Sequence, residues 1–189
     1  MTPAKSNSKV IVLEGLPGTG KTSIISTLRK EINVVDGIVL KSENITNGGE
    51  IFFLENDREK IKQGKMSDGL TLIDRGYPST LAHNYSRLFF DQKRDYFQLL
   101  ETFVKYKKLQ KNIPDVYIHI EIDVETSIMR KKRKANPNDI WTIEKYLKVI
   151  KNYYEFHFRF LEPDIKIIKI NGLLPLPNII NEIRNYLKI

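Results

Sequence analysis

The sequence contains no cysteine, only three histidines and no long uninterrupted apolar run. Without cysteine the chain can form neither a disulfide nor a thiolate metal site, and it has no thiol nucleophile. The histidines are scattered without the spacing of metal ligands. The first apolar run is interrupted by Glu14 and a glycine-rich turn, and only a short polar, basic tail precedes it, so we expect neither a signal peptide nor a membrane span. These absences predict a cytoplasmic protein with no membrane partner.

The size and charge of the chain limit its organisation and its partners. With 189 residues, 41% of them hydrophobic, the chain fits a single domain over 1–189 with a flexible tail at 1–8. The net charge of +8 suits an anionic partner, which includes both nucleotides and nucleic acid. One dense basic group stands out, Arg130–Lys134.

The strongest motif follows the first apolar run, Val10–Leu13. A glycine-rich turn ending in Gly-Lys-Thr comes next and leads into a helical stretch. Glycines at this spacing let successive backbone N–H groups curl around an anion at a helix N-terminus. The pattern predicts a phosphate-binding loop for ATP, with Lys21 reaching the β- and γ-phosphates and Thr22 ligating Mg²⁺. The predicted ATP-binding residues are Gly15, Leu16, Pro17, Gly18, Thr19, Gly20, Lys21, Thr22 and Ser23.

Five short apolar runs alternate with helical stretches along the chain. This alternation predicts a P-loop NTPase fold of the α/β class, with a five-stranded, mainly parallel sheet in a three-layer α/β/α arrangement. After the run at Val10–Leu13, the expected strands are Gly37–Ser42, Leu70–Asp74, Val116–Asp123 and Ile165–Ile170. The expected helices are Lys21–Glu31, Glu50–Gln63, Ser79–Phe90, Arg94–Lys111, Ile140–Leu161 and Pro177–Leu187. In Arg94–Lys111 we expect Phe97, Leu100, Val104 and Leu109 to face inward.

A second candidate site lies at the carboxyl end of the third predicted strand. Asp74 and Arg75 would stand beside the phosphate loop in a doubly wound sheet. Asp74 can hold Mg²⁺ directly or through water, and Arg75 can grip a phosphate in a bidentate fork. The alternative is an ion pair that caps the strand end. Phosphoryl transfer relies mainly on positioning and charge neutralisation, which Lys21, Mg²⁺ and arginines can supply.

Here the chain resembles the thymidylate kinase family. Phe52–Arg58 is similar to that family's apolar-aromatic helix ending in Asp/Asn-Arg. Leu72–Asn84 is similar to its pattern of Asp-Arg-Tyr, two residues, Ser-Ser, one residue and Ala-Tyr-Gln. Pro114–Asp115, the acidic strand end Asp123 and the basic helix after it look like the segment that enters the family's lid. The similarity runs in order along almost the whole chain, and the related deoxynucleoside kinases share the same plan.

The resemblance implies roles for individual residues around the acceptor. Arg58 matches an arginine that touches the acceptor base, and Arg75 matches one that binds the acceptor phosphate. Asp74 matches a residue near Mg²⁺ and the acceptor. Ser79 and Asn84 fall on positions near the acceptor base. Glu43 stands where deoxynucleoside kinases carry a glutamate that acts as base toward the 5′-hydroxyl.

The sequence also departs from the family at the acceptor side. Ser42 replaces an arginine, which removes one expected phosphate contact unless Lys41 substitutes. The position of the stacking aromatic is taken by Leu54, and Phe53 lies one residue off, about 100° around a helix. Gly76 replaces the family tyrosine. The acceptor pocket is therefore altered more than the phosphate machinery.

The basic group after the fourth strand has two interpretations. As part of a lid over about 124–140, Arg130 and Arg133 would close over ATP and neutralise the transferring phosphoryl group. Their three-residue spacing places them on one helix face. The other interpretation is a solvated helix face.

The sequence as a whole predicts an ATP- and Mg²⁺-dependent kinase that acts on a nucleoside monophosphate, with dTMP as the leading acceptor. One alternative is a kinase for a nucleoside or another hydroxyl-bearing small molecule, in which Glu43 becomes the base. Another is a nucleotide-dependent protein that binds nucleic acid or has a regulatory role. Thymidylate kinases commonly dimerise, so the resemblance also suggests a homodimer.

Overall fold

A computed structural model describes residues 8–40, 49–90, 96–109, 112–132 and 139–189. A parallel five-stranded sheet lies at its centre, in the strand order β2-β3-β1-β4-β5. The strands are β1 Lys9–Glu14, β2 Asn33–Val35, β3 Leu70–Asp74, β4 Val116–Glu121 and β5 Lys166–Asn171. The helices are α1 Lys21–Leu28, α2 Gly49–Met66, α3 Tyr77–Phe90, α4 Tyr96–Leu109, α5 Val124–Lys132, α6 Glu144–Phe156 and α7 Leu176–Leu187. The predicted α/β fold with a parallel sheet is confirmed.

The sheet is covered by helices on both faces, which gives the three-layer arrangement. Alternate residues of β1 enter opposite cores because successive strand side chains point to opposite faces. Val10 and Val12 pack with α2, α3, α4 and α6. Ile11 and Leu13 pack with α1 and α7. All four side chains are fully buried, so the loop that follows β1 begins from a strand packed into the core on both faces.

The predicted strand Gly37–Ser42 is wrong over its described part. The strand next to β3 is Asn33–Val35, and the chain leaves the sheet at Gly37, which adopts a φ of 68°. The backbone N–H groups of Val39 and Leu40 donate instead to Asn56 Oδ1 of α2, at 2.8 and 3.2 Å. Residues 41 and 42 lie outside the described residues.

The predicted inner face of α4 is also wrong. Phe97, Leu100 and Val104 are exposed, and only Leu109 is buried as expected. The buried positions are Leu99, Thr102, Tyr106 and Leu109. The helix carries two apolar stripes, and the inner one contains polar groups that find partners in the protein. The Tyr106 hydroxyl donates to Glu162 Oε1 at 2.9 Å.

Several helix boundaries differ from the prediction. α1 ends at Leu28 rather than Glu31, and α2 continues past Gly64 to Met66. Gly64 is a close-packing position, since an added Cβ would lie 3.0 Å from Val10 Cγ2. The predicted helix Ile140–Leu161 divides into a 3₁₀ turn at Ile140–Thr142, then α6, then a π turn at His157–Leu161.

Candidate active site

The loop between β1 and α1 has the backbone that its glycines predict. Gly15, Gly18 and Gly20 adopt φ angles of 139°, 78° and 89°, in a region that disfavours other residues. A Cβ on Gly15 would lie only 2.5 Å from the carbonyl oxygen of Ile120 on the neighbouring strand β4. The loop therefore needs glycine for its conformation and also for its packing.

Lys21 lies inside this loop. Its side-chain ammonium donates to Gly15 O at 2.6 Å, Leu16 O at 2.9 Å and Thr19 Oγ1 at 2.9 Å. Burial, then repulsion from Arg75, lowers the pKa of Lys21 well below its ordinary value, against opposing effects of Glu14 and Asp74. An anionic phosphate at the loop would stabilise the charged form of this buried amine.

Helix α5 braces the outside of the loop. The Ser127 hydroxyl donates to Pro17 O at 2.7 Å. Arg130 Nη1 donates to Gly18 O at 3.3 Å and to Gly172 O at 3.0 Å. Arg130 thus ties the loop to the turn after β5. Arg133, its expected partner on the lid, lies outside the described residues.

The turn after β3 places Arg75 beside the phosphate loop. Strands β1 and β3 are hydrogen-bonded neighbours, and Arg75 N donates to Leu13 O at 3.1 Å. Arg75 has a φ of 59°, which is uncommon for a residue other than glycine. Its guanidinium donates to Ser79 Oγ at 3.1 Å and reaches Gly15 O at 3.5 Å. The structure therefore brings together Lys21, Arg75 and Ser79 at this point.

Glu14 is a site residue that the sequence prediction missed. Its fully buried carboxylate accepts from Gly76 N at 2.8 Å and from the Tyr154 hydroxyl at 3.1 Å, and it also accepts from the Ser79 hydroxyl. It therefore fixes the β3–α3 turn against the phosphate loop. The available signal was an acid at the end of the most apolar strand, directly before the first loop glycine.

The residues predicted to hold Mg²⁺ fit that ion chemically. Asp74 Oδ1 is buried and has no hydrogen-bond partner among the described residues. Thr22 is exposed in the first turn of α1. Mg²⁺ is commonly held by one or two protein oxygens together with substrate phosphates and water. The described part of the chain has no cluster of three or more His, Asp or Glu side chains that could hold a metal.

A cleft of about 560 Å³ opens next to Arg75. Its walls come from the phosphate loop, residues 37–38, α2, the β3–α3 turn, α3, α5 and the 3₁₀ turn. Among the predicted acceptor residues, Phe53, Arg75, Ser79 and Asn84 line it. Leu54 does not, because it is fully buried in the core under α2. Arg58 is not among the lining residues, and Glu43 lies outside the described residues.

Aromatic and imidazole side chains form one wall of the cleft. The His83 ring stacks on Trp141 with centroids 5.3 Å apart, and Tyr146 shares a hydrogen bond with His83 Nδ1. Burial, followed by the charges of Arg87 and Arg75, lowers the pKa of His83 to about 4. His83 is therefore neutral near pH 7 and presents a flat, uncharged ring. Phe53 supplies a second aromatic surface in the same cleft.

A buried ion pair on α2 was also missed. Asp57 and Lys60 pair at 2.9 Å, and both side chains line the cleft although they are about 95% buried. The sequence signal was an acid and a base three residues apart, which share a helix face. Many such pairs lie on solvated surfaces, so the spacing alone gave no reason to place this one in a site.

Comparison with known proteins finds similarity both in sequence and in structure. No family model matches the sequence. The chain is 26% identical over 167 residues to a deoxyguanosine kinase from Lactobacillus acidophilus, covering 77% of this chain and 73% of the relative. The structure of deoxyadenosine kinase from M. mycoides with bound dATP aligns with a TM-score of 0.73 at 18% identity, over 95% of this chain and 100% of that one. Thymidylate kinase from Candida albicans aligns with a TM-score of 0.69 at 16% identity, over 98% and 93%.

These findings agree with the motifs in the sequence. The described helices include none that is both long and apolar enough to span a membrane. The phosphate loop, the Asp74–Arg75 turn and the parallel sheet occur in the order that the resemblance implies. The chain therefore has the fold of these deoxynucleoside and thymidylate kinases, and its sequence is similar to that of a deoxyguanosine kinase.

Proposed function

We propose that the protein transfers the γ-phosphoryl group of ATP, with Mg²⁺, to the 5′-hydroxyl of a deoxynucleoside. The observation that carries this proposal is the position of Arg75, whose guanidinium lies between the phosphate loop and the cleft. A donor phosphate on the loop and an acceptor in the cleft would meet at this side chain. The sequence similarity to a deoxyguanosine kinase supports a nucleoside rather than a nucleotide acceptor.

The donor side uses the phosphate loop. The loop N–H groups and Lys21 would bind the β- and γ-phosphates, and Arg75 would neutralise charge that builds up on the transferring group. Mg²⁺, held by Thr22 and Asp74, would neutralise the phosphates of ATP. Arg130 would act on the loop through Gly18 O, which makes it a positioning residue. Arg133 stays a candidate lid arginine.

The acceptor side uses the cleft and a base. The nucleoside base would lie against the aromatic surfaces that Trp141 and Phe53 supply to the cleft. Glu43 would take the proton of the 5′-hydroxyl, whose oxygen then bonds to the γ-phosphorus while the bond to the β–γ bridging oxygen breaks. Ser42, in place of the arginine of thymidylate kinases, is consistent with an acceptor that brings no phosphate.

Phosphorylation of dTMP is the second candidate. The observation in its favour is that Arg75 follows Asp74 at the cleft, as in the Asp-Arg motif of thymidylate kinases, where the arginine binds the acceptor phosphate. An acceptor that is already a phosphate needs no strong base. The two candidates therefore differ in their need for Glu43.

The test is turnover of ATP with Mg²⁺ against deoxynucleosides, dTMP and other nucleoside monophosphates, with Lys21→Ala as the blank. We expect transfer to deoxynucleosides and a loss of about 10²- to 10⁴-fold in Glu43→Gln. Arg58→Ala is the matched comparison, since Arg58 is not among the cleft residues. Turnover confined to dTMP and unaffected by Glu43→Gln would establish the second candidate. No turnover with any acceptor of the panel, together with salt-sensitive binding of DNA or RNA, would favour the nucleic-acid alternative.

We also propose that two copies of the chain associate through α4. Phe97, Leu100 and Val104 form an exposed stripe along this helix, with exposed fractions of 75%, 41% and 55%. Phe89 at the end of α3 is exposed as well. Exposed apolar patches mark association sites, and a twofold dimer would pair this stripe with itself. The dimerisation that is common among thymidylate kinases favours a second copy as the occupant.

A further inference from the structure

One buried oxygen in the cleft has no hydrogen-bond partner. Asn84 is 3% exposed and lines the cleft, and its Nδ2 donates to Thr80 O at 3.0 Å. Because a carbonyl oxygen only accepts, this bond fixes which end of the amide is nitrogen. Asn84 Oδ1 then has no partner among the described residues. Buried acceptors are rarely left unpaired, so this oxygen indicates a ligand that donates to it.

The carboxylate of Asp57 lines the same cleft and can accept further hydrogen bonds. Lys60 Nζ lies 2.9 Å from Oδ1, and the Thr80 hydroxyl donates to Oδ2 at 2.6 Å. An ionised carboxylate offers about four acceptor positions, so about two remain. Asp57 can therefore accept further hydrogen bonds from a ligand in the cleft that it lines.

Lys60 has no donor left to offer that ligand. Its ammonium contacts Asp57 Oδ1 and also donates to Asp74 O at 3.0 Å and Arg75 O at 2.8 Å. These three contacts use its three N–H groups. The hydroxyl hydrogen of Thr80 is likewise used on Asp57. The Lys60 ammonium thus holds the Asp57 carboxylate in place, and the pair offers a ligand only hydrogen-bond acceptors.

Thr80 joins the two acceptors into one unit. It donates through its side chain to Asp57 and accepts through its backbone from Asn84. Asp57 comes from α2 and Asn84 from α3, so the unit spans the two helices that form one side of the cleft. This part of the cleft presents two acceptors that are linked through Thr80.

We infer that Asp57 and Asn84 read the base of the acceptor and select a base with two adjacent N–H donors. This inference rests on the proposed function, in which a deoxynucleoside occupies the cleft. Guanine has such an edge, with its N1–H beside its 2-amino group. Thymine places one N–H between two carbonyl oxygens, which would face Asp57 and Asn84 unfavourably. Adenine and cytosine present one amino group beside a ring nitrogen that accepts.

Arg87 adds a complementary group. It lies three residues after Asn84 on α3, on the same helix face, and it lines the same cleft. A guanidinium only donates, and guanine O6 is an acceptor that arginine commonly binds. If adenine were bound in this way, its 6-amino group, which donates, would face the donating guanidinium of Arg87. The charges and hydrogen-bonding groups of the cleft therefore favour guanine among the common bases.

The experiment is calorimetric binding of deoxyguanosine, deoxyinosine, deoxyadenosine, deoxycytidine and thymidine to the full chain. Deoxyinosine keeps N1–H and O6 but lacks the 2-amino group, so it tests one hydrogen bond without any mutation. We expect deoxyguanosine to bind about tenfold or more tightly than thymidine, and about tenfold more tightly than deoxyinosine. A preference for thymidine, equal binding of deoxyguanosine and deoxyinosine, or no binding of any nucleoside would overturn the inference.

Two variants locate the contact within the cleft. Asn84→Leu and Asp57→Asn should each weaken deoxyguanosine binding about 10- to 100-fold. At least one of them should also reduce the preference over deoxyinosine to about threefold or less, because the residue and the 2-amino group then no longer interact. Asn178→Leu on the exposed side of α7 is the matched control. A preference that survives in both folded variants would overturn the assignment.

Phosphoryl transfer is measured in parallel on the same nucleosides. Binding with the expected preference but without transfer would refute the proposed function and keep the assignment of the base-reading pair. Transfer that is indifferent to the base would keep the function and refute the assignment.

Discussion

The Glu14 carboxylate accepts a hydrogen bond at 2.8 Å from the backbone N–H of Gly76, a residue 62 positions further along the chain. One residue ends β1 and the other begins the turn into α3, so the bond joins the phosphate loop to the turn that carries Arg75. A Cβ on Gly76 would lie 3.1 Å from Val12 Cγ1. The close approach explains why glycine suits this position better than the tyrosine of thymidylate kinases.

Glu14→Gln should impair catalysis and stability together. An amide has one accepting oxygen, whereas Glu14 accepts from Gly76, Ser79 and Tyr154, so at least one buried donor would lose its partner. We expect a destabilisation of about 1–3 kcal/mol and a fall in kcat as Arg75 loses its fixed position. Urea unfolding and initial rates test this, with the exposed Glu182→Gln on α7 as control. An unchanged kcat would show that the bond does not position Arg75.

Binding of a nucleoside triphosphate should be accompanied by proton uptake at Lys21. Burial and Arg75 lower the pKa of Lys21, and the negative phosphates would raise it again, so ligand binding should be coupled to proton uptake at this side chain. The uptake should grow as the pH rises toward the ordinary lysine pKa. Calorimetry in buffers with different ionisation enthalpies measures it.

Lys21→Arg is the control for this measurement, because a guanidinium stays charged throughout the range. We expect the variant to show no such uptake. Equal uptake in both proteins would assign the proton to another group.

The stability of the protein should fall on mild acidification because of His83. The pKa of His83 is lowered to about 4 in the folded state by burial and by Arg87 and Arg75, against about 6.5 in the unfolded chain. Between these values the unfolded state binds more protons, so the free energy of unfolding decreases as the pH falls from about 6.5 to about 4. After allowance for partial solvent exposure, the loss due to His83 is about 1–2 kcal/mol.

The measurement compares wild type with His83→Gln by urea unfolding at several pH values. The variant keeps a polar side chain but does not titrate, so its stability should fall less over the same interval. Parallel pH profiles for the two proteins would contradict the assignment.

Association of the chain should depend on the exposed stripe of α4. We expect Phe97→Glu combined with Val104→Glu to give a monomer in light scattering at concentrations where wild type is a dimer. These side chains are 75% and 55% exposed, so the folded monomer should tolerate the change. Met66→Glu, at another exposed apolar position, is the matched control. A monomeric wild type, or a dimeric double variant, would refute the α4 interface.

The parts of the site that depend on the backbone could be predicted from the sequence. The glycine spacing of the phosphate loop predicts its backbone conformation. An acid-arginine pair at the end of an apolar strand predicts the position of Arg75, because the carboxyl ends of parallel strands meet at one edge of the sheet. Side-chain partners across helices could not be predicted. Asp57 and Lys60 show only a helical spacing, and their burial depends on how α2 meets the β3–α3 turn.

The wrong predictions have a common physical origin. Gly37–Leu40 has the composition of a strand, but Asn56 supplies the hydrogen bonds that the sheet would otherwise give. In α4 the more apolar stripe is the outer one, and the inner one contains Thr102 and Tyr106. In both cases polar side chains determine the structure where we expected an apolar pattern to do so. Asn56 replaces a neighbouring strand as the hydrogen-bond partner of Val39 and Leu40, and Thr102 and Tyr106 lie on the buried face of α4.

The bonds from Asn56 to the segment Gly37–Leu40 have a consequence for catalysis. Asn56 precedes Asp57 in α2, and Leu40 stands three residues before Glu43. One turn of a single helix therefore anchors both the chain that leads to the candidate base and the group that would meet the nucleobase. A poorly matched nucleobase that displaced this turn would also disturb the approach of the reacting hydroxyl, so discrimination between acceptors would be seen in kcat as well as in KM.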